Sequence, residues 1–199
     1  MGNRQENWLV MGLIVLVEAV APCMAANTEE LTLLVYDYAH LSPEAIAKAE
    51  STVSRIFEHV NVHVIWRNGF PDVAQQQTFG NLPEDPAALL INIQPESNAA
   101  RYGVGSTCGG IALGSRAIVF ARGFDSMSTK SAATRLGYAL AHELGHIMLG
   151  RNAHAIVGIM RGTLLPDDWQ SAAQCTLGFT RSQQQQIRAW IAERGRLYL

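Results

Sequence analysis

Between His142 and Gly162 the chain reads HELGHIMLGRNAHAIVGIMRG. His142 and His146 stand four residues apart, so on a helix both imidazoles leave from one face, with Glu143 about 100° round beside them. Two ring nitrogens from one helix face can bind Zn²⁺, and an adjacent carboxylate can act as base on the water the metal binds. A catalytic zinc wants a third protein ligand. Gly150 can end the helix in a left-handed turn, letting the chain come back and bring His154 to the metal. Asp167 and Asp168 are competing donors further on, whereas Asn152 offers only an amide, a poor zinc ligand.

In type and order, His142, Glu143, His146, Gly150, His154 and Met160 resemble the metzincin clan of zinc metallopeptidases. That clan carries H-E-x-x-H-x-x-G-x-x-H and then a turn with a methionine beneath the metal. Here the steps from His146 to Gly150 and from Gly150 to His154 are four residues each, one longer than the pattern. The variant spacing is similar to that of a bacterial exported subgroup rather than the well-known secreted families. Gly162-Thr163 with Asp167 and Asp168 resembles, more loosely, the aspartate motif of aspzincins, and the third ligand stays open between His154 and these aspartates.

The metzincin resemblance implies a zinc-dependent endopeptidase holding one catalytic Zn²⁺ on His142, His146 and His154. Glu143 would be the general base on the metal-bound water, and Met160 a hydrophobic floor. It further implies that Gly110 to Leu113 is a sheet edge to which a peptide pairs, with Ile111 and Leu113 as substrate-binding residues. Arg161, Thr163 and Leu164 would lie near the pocket beyond the scissile bond. The clan's tyrosine two residues after the methionine is absent, Gly162 standing in its place. A zinc-binding domain of the same fold with weak or no hydrolysis is the alternative reading, against which the intact Glu143 speaks.

These residues need a scaffold. Leu31 to Tyr38, Val62 to Trp66 and Ala88 to Ile93 are rich in β-formers and read as strands. Gly110 to Leu113 and Ala117 to Ala121 read as two short strands around Gly114-Ser115. Ser42-Pro43-Glu44 is a helix start, followed by apolar residues at helical spacing to Val60. Ser128 or Thr129 starts the active-site helix to Leu149, with Leu136, Leu140, Leu144 and Ile147 as its buried face. A last helix begins at Thr180, with Gln183 completing a capping box. The long stretch Gln94 to Gly110 and the segment after the methionine read as irregular. The fold class is α/β, zincin-like: a small, mixed, mostly parallel sheet with an active-site helix, a Met-turn and a C-terminal helix.

The 199 residues suffice for one catalytic domain, residues 26–199, after a targeting segment at 1–25. In that segment Trp8 to Val17 is an apolar run of signal-peptide length, followed by small residues at Ala25-Ala26. The expected location is secreted or periplasmic, with no stable membrane span once the segment is removed. Cleavage would leave Cys108 and Cys175, an even pair that in an oxidising compartment suggests one disulfide. The formal charge is −2, and no basic patch with interleaved aromatics occurs, which argues against nucleic acid as partner. The expected partner is a peptide or protein substrate, the expected state a monomer.

Overall fold

Alternation along the first strand sets the layering. In β1 (Glu29–Asp37), Leu31, Leu33 and Val35 are buried while the residues between them are only partly covered, the period-two pattern of a strand with one face on a core. A computed structural model of the chain describes residues 28–69, 88–103 and 109–197. Within it, β1 is followed by α1 (Pro43–Glu58), β2 (Val62–Gly69), β3 (Leu89–Pro95), a 3₁₀ helix (Glu96–Tyr102), β4 (Gly110–Leu113) and β5 (Arg116–Ala121). The helices α2 (Thr129–Leu149), α3 (Pro166–Ala173) and α4 (Arg181–Leu197) complete it.

The sheet order is β2-β1-β3-β5-β4. The first three pairings are parallel, with Leu33 opposite Trp66 and Leu89, and Ile91 opposite Ala117. Only β4 runs antiparallel, through the tight turn at Gly114-Ser115, with Ile111 opposite Ile118. β4 is thereby an edge strand, and the small, mostly parallel sheet is the one expected. Pairing with β5 carries β3 through Asn92 and Gln94 to Pro95, past the apolar run that ends at Ile93, and both polar side chains are buried.

Helix ends follow local chemistry. Ser42 caps α1 by accepting from Ala45 N, with Pro43 at the first helical position. Ser128 caps α2 by accepting from Ser131 N. Thr180 and Gln183 form the expected reciprocal capping box ahead of α4. Along α4, Arg188 donates to Val60 O and Arg194 to Ser115 Oγ, so the helix crosses the starting ends of β2 and β5.

Two expectations are corrected here. The segment after the methionine is not wholly irregular: it contains α3, started by Pro166 with Asp167 and Asp168 in the first turn, and Asp168 reaches back to accept from Leu165 N at 2.8 Å. Part of the Gln94–Gly110 stretch is likewise a 3₁₀ helix, whose Ala99 and Tyr102 cover Ile118 and Phe120. No disulfide occurs among the described residues. Cys175 is a free, half-buried thiol in left-handed backbone (φ +62°), and Cys108 lies outside the described residues. Residues 1–25, read as the targeting segment, also lie outside them. Among the described residues no helix is long and apolar enough to cross a membrane.

Helix α2 is buried almost all round, not on one face alone. Ala132, Ala133, Gly137, Ala141 and Gly145 are buried along with the leucines, because α2 is wedged between the sheet and α1. Gly137 makes the α1 approach feasible: a Cβ there would lie 2.6 Å from Thr52 Cβ and 2.8 Å from Ala49 O. Gly137→Ala therefore sets a helix-propensity gain of up to about 1 kcal/mol against overpacking on backbone, which costs about 1–3 kcal/mol. The clash wins, and urea unfolding should show Gly137→Ala less stable by about 1–2 kcal/mol.

Candidate metal centre

His142 and His146 project from the last two turns of α2, and the end of that helix delivers the third histidine. α2 stops at Gly150, which is not in the expected left-handed helical conformation. Its φ of +97° and ψ of 164° lie in a region open essentially to glycine alone. That geometry reverses the chain within one residue. Ala153 N then donates to Gly150 O, and Ala155 N to Met160 O, forming a short loop that absorbs the extra residue after Gly150 and carries His154 back, while the extra residue before Gly150 lengthens α2.

The three Nε2 atoms converge. His146 Nε2 lies 3.0 Å from His142 Nε2 and 3.1 Å from His154 Nε2, and one ligand atom from each ring fits within a 4.8 Å group. A tetrahedral zinc with nitrogen ligands at 2.0–2.1 Å separates those atoms by about 3.3 Å, close to what is found. The other ring nitrogens of the two helix-borne histidines are committed: His142 Nδ1 donates to Ile159 O at 2.8 Å and His146 Nδ1 to Gly150 O at 3.2 Å. With the proton held at Nδ1, these two neutral rings aim their Nε2 lone pairs at one another. A cation between them removes that repulsion, so the donor set fits a divalent, nitrogen-preferring metal such as zinc. Asp167 and Asp168 are not in the group. Asp168 caps α3 and its Oδ2 sits 3.1 Å from Arg161 Nε, in an ion pair whose N–H is not aligned for a hydrogen bond.

Burial favours the neutral forms of His142, His146 and Glu143. Burial, opposed by the bond to Ile159 and reinforced by the neighbouring imidazoles, pushes the His142 pKa down to about 4. His146 is lowered too, chiefly by burial. Glu143, only 4% exposed, has its pKa pushed up to about 7 by desolvation. Its side chain lies under β4, where a Cβ on Gly110 would meet Glu143 Cγ at 2.7 Å.

Met160 is fully buried beneath the histidines. Gly145, one residue before the second histidine, leaves the space for it: a Cβ there would collide with Met160 Sδ and come within 3.0 Å of Phe179 Cε1. The turn carrying Met160 is pinned from below, with Ile159 N donating to Gly178 O at 2.9 Å and Gly158 at φ +77° pressed on the same carbonyl. Gly162 faces the His154 ring, a Cβ there lying 3.2 Å from Nδ1. Sequence reasoning missed Gly145 and Gly110. The legible signal was a glycine inside a helix or strand, which costs stability unless something approaches closely.

A cleft of about 550 Å³ opens over the triad. β4 forms one wall through Gly110, Ile111 and Ala112, and Arg161, Thr163, Leu164 and Trp169 line the other. Of the residues expected to meet substrate, Ile111, Arg161 and Thr163 line it. Leu113 does not: it sits at the far end of β4, 51% exposed.

In the metal-free protein the two shifted groups oppose each other. Stability from Glu143, whose folded pKa is raised, is full below about pH 4.5 and declines as pH climbs to about 7. Stability from His142, whose folded pKa is lowered, is full above about 6.5 and declines as pH falls toward 4. Chemical denaturation of metal-free Glu143→Gln should therefore show the decline on the acid side alone, with the variant's advantage over wild type growing between pH 4.5 and 7. An equal pH profile for both proteins contradicts the burial of this carboxylate.

No sequence-family model matches the chain, and no curated protein matches it. Among solved structures, the archaemetzincin of Methanopyrus kandleri superposes with a TM-score of 0.55 at 11% identity, covering 85% of this chain and 99% of that one. Metalloproteinase-II of Bacteroides fragilis gives a TM-score of 0.42 at 16% identity, covering 78% of this chain and 56% of that one. The first match establishes a shared fold and, at that identity, the fold alone.

Proposed function

We propose that this chain, which shares the fold of an archaemetzincin, is an exported zinc endopeptidase using His142, His146 and His154 as ligands and Glu143 as general base. The convergence of three Nε2 atoms beside a buried carboxylate carries the reading. Export rests on the apolar run at the N-terminus. Zinc, when held there, lowers the pKa of a water molecule and polarises a peptide carbonyl.

The chain's own groups do the rest. A peptide lying along the outer edge of β4 pairs its backbone with that strand, which sets the scissile bond over the histidines. Glu143 takes the proton of the attacking water and passes it to the leaving amine nitrogen. Its raised pKa suits both halves of the transfer near neutral pH, since one group must first accept and then donate. Ile159 O and Gly150 O hold the two helix-borne rings in the tautomer that presents Nε2. Met160 and Gly145 fix the floor against which His142 and His146 stand.

Elemental analysis of purified protein should find one zinc per chain. His154→Ala should weaken zinc affinity by more than the roughly 10–100-fold that loss of an outer partner costs, while Asp167→Ala and Asp168→Ala retain the ion. Glu143→Gln should keep zinc yet hydrolyse a peptide library about 10²–10⁴-fold more slowly. Absence of zinc after reconstitution, or full turnover by Glu143→Gln, overturns the proposal.

A further inference from the structure

Within the cleft the charged side chains are unbalanced. Arg122, Arg135, Arg151 and Arg161 line it, against a single carboxylate among its lining residues, the buried Glu143. Arg122 is paired with Glu96 at 2.8 Å and Arg161 with Asp168. Neither Arg135 nor Arg151 has an acidic partner among the described residues, and of the two it is Arg135 whose guanidinium lies over an aromatic ring, 4.6 Å from the centroid of Trp169.

Arg135 is also in register with the metal ligands. It precedes His142 by seven residues, two turns of α2, so it leaves from the same stripe as Ala139, His142 and His146, all of which line the cleft. The axial offset is about 10 Å, or about three residues of an extended peptide. Trp169 is itself fixed, edge-on to Tyr138, whose hydroxyl donates to Ala172 O of the same short helix. A stacked guanidinium keeps its N–H edge open, and its fork matches a carboxylate bidentately. Because the stack already orders the side chain, little conformational entropy is lost when an anion arrives.

From this geometry we infer that Arg135, held on Trp169, is a specificity residue that selects substrates carrying a carboxylate about three residues from the bond over the histidines. This rests on the peptidase reading only in assuming that peptides occupy the cleft. The carboxylate is supplied either by an Asp or Glu side chain or by a peptide C-terminus.

The test is binding, which does not depend on turnover. Fluorescence anisotropy of labelled peptides on zinc-loaded Glu143→Gln protein would compare sets differing only by Glu or Gln at each position, each made with a free or an amidated C-terminus. The expected result is about tenfold tighter binding for one Glu position, fading as salt is raised. That preference should vanish in Glu143→Gln/Arg135→Gln and reverse toward a Lys peptide in Glu143→Gln/Arg135→Glu. Circular dichroism would establish that both double variants are folded. A preference that follows the free C-terminus assigns the same pocket to a terminal carboxylate. Equal binding of Glu and Gln peptides in both terminal forms, no binding of either, or a preference that survives Arg135→Gln, overturns the inference. Turnover of the uncharged peptides by wild-type protein reports separately on the peptidase reading, and loss of that activity leaves the binding comparison intact.

Discussion

The hydrogen bond from His142 Nδ1 to Ile159 O, 2.8 Å long, joins the two halves of this molecule. On one side stands α2, wedged between the sheet and α1. On the other is the turn bearing Met160, which Gly178 O holds from beneath through Ile159 N. Both polar groups of the Ile159 peptide backbone are therefore in use, one orienting the His142 ring and the other anchoring the turn to the segment before α4. The same turn seats Met160 under Gly145, one position from His146. A shift of the turn would move the floor and the first ligand together. The helix supplies the spacing of the first two histidines, and the turn fixes the tautomer of one and the height of both.

This coupling accommodates the four-residue steps from His146 to Gly150 and from Gly150 to His154. The position of His154 is set by where the chain re-enters the site, not by the number of residues on the way. Gly150 reverses direction in one step, and the backbone bonds Ala153 N to Gly150 O and Ala155 N to Met160 O close the loop at both ends. An added residue after Gly150 enlarges an exposed loop, at little free-energy cost. What cannot be relaxed is the glycine at 150 and the open space at Gly162, since one needs a backbone region closed to other residues and the other needs room for an imidazole.

Much of this was legible in the sequence because the signals are local. The strand alternation, the Ser42, Ser128 and Thr180 caps and the four-residue step between His142 and His146 each depend on near neighbours alone. Three features were hidden for distinct reasons. The start of α3 at Pro166-Asp167-Asp168 has the chemistry of a helix start, but its acids also look like metal donors, and eight residues are too few to show periodicity. The burial of Glu143 depends on β4 crossing above it with Gly110 at the contact, a pairing distant in sequence. Gly150 was correctly placed as the helix stop, yet its ψ depends on what the chain must reach afterwards.

The aspartates illustrate how one residue type can be read two ways. Asp168 is committed twice, to Leu165 N and to Arg161 Nε. Moving it to the histidines would uncap α3 and leave Arg161 unpaired in the cleft wall. The same short helix positions Trp169, and Trp169 positions Arg135. So an aspartate outside the histidine group shapes the cleft indirectly. It fixes the first turn of α3, and with it the aromatic surface on which Arg135 rests. The metal centre and the charge of the cleft thus share a support: α2 carries His142, His146 and Arg135 on one stripe, and the segment from Ile159 to Trp169 holds the two ends of that stripe in place.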